Sequence, residues 1–78
     1  MDAAGDTKSR IDKDIGKFDI SVKEVERTQS NARVIDLAKM YASDARSYLN
    51  KGDFYTAFSC ISYAHGLIDA LKELANVR

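Results

Sequence analysis

The chain has 78 residues, with 12 basic and 12 acidic side chains, 45% apolar residues, no proline and one cysteine. This length is enough for one small domain, and a single cysteine excludes an internal disulfide. Because neither half of the chain carries an excess of basic residues, nucleic-acid binding through bulk electrostatics is disfavoured. Stability must therefore come from helix packing or from association with another chain.

The first segment with a helical period spans about residues 7–27. Its apolar residues follow alternating spacings of four and three, which predicts an amphipathic helix with a narrow seam. A polar run at residues 26–31 follows, with cap-type side chains but neither glycine nor proline. Helices one and two could therefore be continuous, and we favour a break near Ser30. The seam consists of Ile11, Ile15, Phe18, Val22 and Val25.

Two further helices are predicted, over about residues 31–50 and 54–76. The boundary between them is clear, because Gly52 can adopt the left-handed conformation after a helix end and Asp53 can cap the next helix. So short a connection makes the two helices antiparallel neighbours. The apolar face of helix two is Val34, Leu37, Ala38, Tyr41, Ala42, Ala45, Tyr48 and Leu49. That of helix three is Ala57, Cys60, Ile61, Ala64, Leu67, Ile68, Leu71, Leu74 and Ala75.

These segments predict an all-α fold: a single domain over residues 1–78 that forms a three-helix bundle, with helices two and three as a tight antiparallel hairpin. Helix one could pack in the same bundle or exchange into a neighbouring copy, since its seam suits either arrangement.

The side of helix three opposite its apolar face is unusual, because no charged residue occurs from Phe54 to Ile68. The polar residues within this stretch exclude a membrane span. Small residues at i, i+4 and i+8 would let another helix approach closely, and a glycine inside a helix is best explained by such an approach. We expect this side to be an interface, and its candidate residues are Tyr55, Ser59, Ser62, Gly66 and Ala70.

His65 is the one histidine, and Asp69 lies one helical turn beyond it. The pair could orient an imidazole or supply two metal ligands, but two ligands do not make a metal site, and a structural role for His65 is favoured. Asp44 lies beside the apolar face of helix two and would need a donor if buried, with Tyr63 as the first candidate and Arg46 or Arg33 as alternatives. The candidate polar cluster is Tyr41, Asp44, Tyr63, His65 and Asp69.

Two motifs carry a family resemblance. The first, Tyr-Ala-x-Asp-Ala-x-x-Tyr-Leu-x-Lys-Gly-Asp-x-x-x-Ala-Phe, spans residues 41–58, and the second, Ile-x-Tyr-Ala-His-Gly-Leu-Ile-Asp-Ala, spans residues 61–70. Together they resemble the signature of the archaeal Domain of Unknown Function 357 family. This resemblance implies a short all-helical protein of archaeal, cytoplasmic origin with no established activity. The hairpin is also similar, more loosely, to the helix pairs of HEPN and tetratricopeptide-type domains.

No nucleophile, phosphate-loop or metal-protease motif occurs in the sequence, so we do not expect an enzyme, a metal site or a cofactor. The expected function is a non-catalytic protein-interaction or self-association module, with a homo-oligomer or another protein as the partner. The alternative is a small-molecule or nucleotide-binding accessory domain that uses the polar cluster around His65. Met1–Asp6 lacks the pattern of a signal peptide, and a lone thiol suits a reducing cytoplasm, so a cytoplasmic location is expected.

Overall fold

The computed structural model describes residues 3–76, with side chains from residue 5 onward, and contains three helices in this range. Helix α1 spans Ala3–Lys23, α2 spans Ala32–Asn50 and α3 spans Phe54–Asn76. The all-α bundle is confirmed, and α2 and α3 make the most extensive contact, as expected for the hairpin. The ends of the predicted single domain, residues 1–2 and 77–78, lie outside the described residues.

The observed α1 begins and ends four residues earlier than its predicted range of 7–27. Its last turn tightens, with the Glu24 amide bonding to the Ser21 carbonyl at 3.1 Å. The predicted break before α2 is confirmed, because the Asn31 side chain holds a loop rather than a continuing helix. Asn31 Oδ1 accepts from the Thr28 amide at 2.8 Å, and its Nδ2 donates to the Glu26 carbonyl at 2.9 Å.

All three helices contribute to one apolar core, in which Ile15, Phe18, Ile61 and Ile68 are the largest fully buried side chains. Helix α2 contributes mostly small residues, so its backbone can lie close to α3. The core consists of Ile11, Ile15, Phe18, Ile35, Ala38, Ala42, Ala45, Leu49, Ala57, Ile61, Ala64 and Ile68.

Most residues of the predicted apolar faces are buried or packed against the core, but Val34, Leu37, Leu74 and Ala75 are not. In α2 the buried residue is Ile35, while Leu37 is exposed, because the core residues follow a narrow seam with spacings of three and four. In α3, Leu74 and Ala75 are exposed rather than buried. The contacts of α1 with α3 pair residues 51 apart in sequence, so Leu74 is level with Lys23, where α1 ends.

The α2–α3 turn has the geometry that the sequence predicts. Gly52 adopts a φ of 84°, its amide bonds to the Leu49 carbonyl at 3.1 Å, and the Asp53 amide bonds to the Tyr48 carbonyl at 3.0 Å. This is a Schellman motif, which satisfies the last carbonyls of α2. Asp53 Oδ1 then accepts from the Thr56 amide at 3.1 Å and caps α3. The two helices are thus joined with little freedom.

We predict that Gly52→Ala lowers the free energy of unfolding by about 1–2 kcal/mol, because a side chain disfavours the left-handed conformation. A Cβ at Gly52 would meet no atom within 4 Å, so the loss measures backbone strain alone. Gly16→Ala is the matched control: it is equally uncrowded but helical, and should raise stability by about 0.5–1 kcal/mol. Urea unfolding measures both, and a stabilising Gly52→Ala would contradict the turn geometry.

The Asp53 cap predicts a pH dependence. Hydrogen bonds from the Thr56 side chain and then its amide hold the pKa of Asp53 below its usual value. Since the folded-state pKa is the lower one, the stabilisation is complete above the unfolded pKa of about 3.9 and is lost as pH falls through the folded pKa. The stability difference between wild type and Asp53→Ala should therefore narrow in acid. Thermal melts between neutral pH and pH about 2 measure it.

Asp53→Asn serves as the control, because it keeps an oxygen that can cap the helix but carries no ionisable group. Its stability relative to Asp53→Ala should not change over the same pH range. A wild-type advantage that stays constant into strong acid would contradict an ionised cap.

Candidate functional site: the exposed surface of α3

The residues predicted as an interface share one exposed surface of α3, which we call the α3 outer face: Tyr55, Ser59, Ser62, Gly66 and Ala70. Each is solvent-exposed in the single chain, on the side of the helix away from the core residues Ala57, Ile61, Ala64 and Ile68. The Ser59 hydroxyl donates to the Tyr55 carbonyl at 3.0 Å, so it is satisfied within the helix. The face therefore carries no charged side chain, and one of its two serines is already satisfied within the helix.

Exposed aromatic side chains border this face. Tyr55 is 84% exposed, Phe58 on the α1 side is 53% exposed, and Tyr63 on the α2 side is 50% exposed. Asp69 is the one charged residue between positions 54 and 70. A helix surface in water normally carries Lys or Glu at most of its outward positions. The combination of small residues and exposed rings is thus available for contact with another molecule.

Gly66 has no packing partner that explains it among the described residues. A Cβ at this position would meet no atom within 4 Å, so nothing in the described residues requires glycine there. The same is true of Gly16 in α1, which shows that an open helical glycine is not by itself a sign of an interface. What distinguishes Gly66 is its setting, since Gly16 lies next to Lys17 and close to Lys13.

His65 lies on the opposite edge of α3 from Tyr63 and faces α1. Its Nε2 lies 2.8 Å from the Asp14 backbone carbonyl, and since a carbonyl only accepts, Nε2 is the donor. Its ring packs edge-on against Phe18, with centroids 5.8 Å apart. Asp69 is exposed and makes no hydrogen bond to His65 in residues 3–76. His65 therefore ties α3 to α1, which supports the structural role over the catalytic one.

The other members of the polar cluster lie between α2 and α3. The rings of Tyr41 and Tyr63 meet edge to face, with centroids 4.6 Å apart. Asp44 is exposed, and among the described side chains it has no hydrogen bond to Tyr63. Arg46, one of the two alternative donors beside Arg33, lies instead near Asp12 and Asp19 of α1, at 4.0 and 3.8 Å. The structure thus separates His65 from the tyrosine pair, and the five residues do not line one pocket.

The thiol of Cys60 is half-buried beside the core. Burial raises its pKa above the ordinary value, and the carboxylates of Asp44 and Asp53 raise it further. A thiol that resists ionisation is a poor nucleophile and a poor metal ligand. Cys60 therefore serves as a small packing residue.

Two contacts of Lys72 in α3, one with α1 and one with the residue that follows α1, were not predicted. Lys72 donates to Ser21 Oγ at 2.7 Å and to Glu24 Oε1 at 2.6 Å. It lies two helical turns after His65 on the side of α3 that faces α1. Toward the opposite end of these two helices, an open groove of about 620 Å³ lies between the first halves of α1 and α3. Arg10, Lys13 and Lys17 line its α1 side, and aromatic residues line its α3 side. These cations were not singled out from the sequence, although their spacing of i, i+3 and i+7 places them on one side of α1.

Neither a metal cluster nor a membrane span is found in the part of the chain that the structure describes. No three His, Cys, Asp or Glu side chains in residues 3–76 lie close enough together to hold a metal ion. None of the three helices, within the same range, combines the length and hydropathy needed to cross a bilayer.

The fold and the exposed surface define a small helical protein, an antiparallel hairpin with a third helix packed along it. The model of the family described as "Protein of unknown function (DUF357)" matches residues 9–77. The chain belongs to this family, as the motifs in α2 and α3 predicted. A comparison with curated proteins finds no match.

We predict that His65→Ala lowers the free energy of unfolding by about 1–3 kcal/mol, because the Asp14 carbonyl loses a donor and Phe18 loses a packing neighbour. Asp69→Ala, the control on the same helix, should change stability by no more than about 0.5 kcal/mol because Asp69 is exposed. Thermal or urea unfolding measures both. Equal losses for the two variants would indicate a coupled His–Asp pair instead.

Proposed function

We propose that this protein is a non-catalytic interaction module that self-associates through the α3 outer face. The observation that carries the proposal is the absence of charge from Phe54 to Ile68 on a helix whose outer side is exposed throughout. Burying exposed apolar and aromatic surface is the main source of association free energy. The outward surfaces of α1 and α2, in contrast, carry charged residues at regular intervals.

Small residues supply the close approach that such packing needs. Ser62, Gly66 and Ala70 repeat every four residues and form a shallow strip along the helix. A glycine inside a helix costs about 0.5–1 kcal/mol relative to alanine, and a neighbouring backbone packed against it would offset this cost. The flanking rings of Phe58 and Tyr63 would close over the sides of the second helix.

A second copy of the chain is the occupant that the face fits best. If two α3 helices pack antiparallel about a two-fold axis between Ser62 and Gly66, small residues of one copy meet small residues of the other. The same arrangement places Glu73 of each copy over the N-terminal turn of the opposite α3. A negative side chain is favourable there, because the N-terminus of a helix carries partial positive charge.

The length of the face also suits a dimer. From Tyr55 to Ala70 the helix rises about 22 Å, which is close to half of the 47 Å long axis of the molecule. A contact of this length would provide the stability that a small single domain otherwise lacks.

Two further elements of the proposal concern the setting of the protein. The free thiol of Cys60 supports a reducing, cytoplasmic location. An archaeal origin is implied by the family resemblance and stays a prediction.

We expect wild-type protein to sediment as a dimer at high concentration and Gly66→Leu to sediment as a monomer. Leucine at position 66 has open space within its own chain, so the variant should remain folded, with helix propensity at least as good as the wild type. The measurement is sedimentation equilibrium, with circular dichroism to verify folding.

Gly16→Leu is the matched control, since Gly16 is an equally open helical glycine outside the α3 outer face. It should sediment like the wild type. A monomeric wild type at the highest attainable concentration, or the same loss of association in both variants, would refute self-association through this face.

A further inference from the structure

We propose that the groove between α1 and α3 binds a nucleoside phosphate, with its cationic side holding the phosphates and its aromatic end packing on the base. This α1–α3 groove is bordered by Arg10, Lys13 and Lys17 on α1 and by Tyr55 and Phe58 on α3. It is separate from the polar cluster around His65, and its cationic side takes no part in the proposed self-association.

The cations form one continuous strip. Arg10, Lys13 and Lys17 lie at i, i+3 and i+7, which places them along one side of α1 over about 10 Å. Within residues 3–76, none of the three makes an ion pair, whereas Arg27, Arg46 and Lys72 each have acidic neighbours. The Asp14 carboxylate also lines the groove and leaves it with two net positive charges. An anion of two to four charges would complement it.

The aromatic rings lie at one end of this strip. The α1–α3 contacts join Asp14 to His65 and Ser21 to Lys72, so residues 51 apart in sequence lie at the same level. Phe58 is therefore level with Thr7, and the three cations follow at about 5 to 15 Å further along the groove. The groove thus has an aromatic end and a cationic end, with rings that are largely exposed at Tyr55 and Phe58.

This order of groups selects the class of ligand. A planar base stacks on exposed aromatic rings, and lysine and arginine bind phosphate oxygens. A nucleoside diphosphate or triphosphate carries both groups in the same order as the groove. Its volume of about 620 Å³ is also within the range of small-ligand sites.

A longer nucleic-acid strand fits less well. The chain has no net charge, the Asp14 carboxylate lies among the cations of the groove, and Asp12 and Asp19 lie on the side of α1 that faces Arg46. Affinity for a strand depends on a row of phosphate contacts, which such a helix cannot offer beyond the groove. The occupant is therefore a single nucleotide.

The test uses ATP as the probe, followed by amide chemical shifts and by titration calorimetry on the full chain. We expect saturable binding with shifts concentrated along the groove. Arg10→Ala combined with Lys13→Ala should weaken it about tenfold or more, because two charge-assisted contacts are lost. Phe58→Ala should weaken it about fivefold or more through lost stacking. Inorganic triphosphate should bind more weakly than ATP.

Each variant has a matched control. Lys8→Ala combined with Lys23→Ala removes the same charge from α1 outside the groove, and Met40→Ala removes an apolar side chain of similar exposure on α2. These should bind ATP within about twofold of wild type. The proposal is overturned if ATP binding does not saturate, or if a variant and its control lose ATP affinity equally. It is also overturned if inorganic triphosphate binds as tightly as ATP, or if a single-stranded oligonucleotide binds the groove residues more tightly than ATP.

Discussion

The close approach of α2 and α3 is the constraint on which the rest of the molecule depends. Alanines at 38, 42 and 45 on α2, and at 57 and 64 on α3, are buried in the core and keep the two backbones near each other. The Schellman turn at Gly52 fixes where the pairing starts. Because alanine fills little volume, most of the core volume between these alanines comes from Ile61 and Ile68 of α3 and from Ile15 and Phe18 of α1, with Ile35 and Leu49 near the two ends of α2.

Helix α1 is attached differently, and this explains where its specific contacts lie. It makes fewer contacts with the hairpin than the hairpin helices make with each other. Hydrogen bonds supplement its apolar seam and fix its position along α3. His65 donates to the Asp14 carbonyl, and Lys72 donates to Ser21 and Glu24. Apolar packing alone would allow α1 to slide by a turn, whereas hydrogen bonds of defined geometry do not. The level of α1 in turn sets which of its cations border α3.

Much of this fold can be predicted from sequence, for reasons that are local. The turn at Gly52 and Asp53 and the period of α3 follow from backbone propensities and capping. The end of α1 was missed because Val25 continues the apolar spacing while packing against the core from a loop. Ile35 was missed because an alanine-rich face fits several wheel angles equally well. The predicted polar cluster is not brought together, because Tyr63 and His65, two residues apart, point toward different neighbouring helices. Their positions on a helical wheel reveal this only once the position of α1 is known.

The position of Tyr55 has a consequence for the whole molecule. Its ring belongs to the α3 outer face, also lines the α1–α3 groove, and is 84% exposed to solvent. A side chain shared by two surfaces couples whatever occupies them, and the coupling is thermodynamically reciprocal: a bound small molecule that reorients the ring would alter assembly by the same factor as assembly alters its affinity. Under the two proposals, occupancy of the α1–α3 groove and assembly through the α3 outer face would therefore be linked through this single ring.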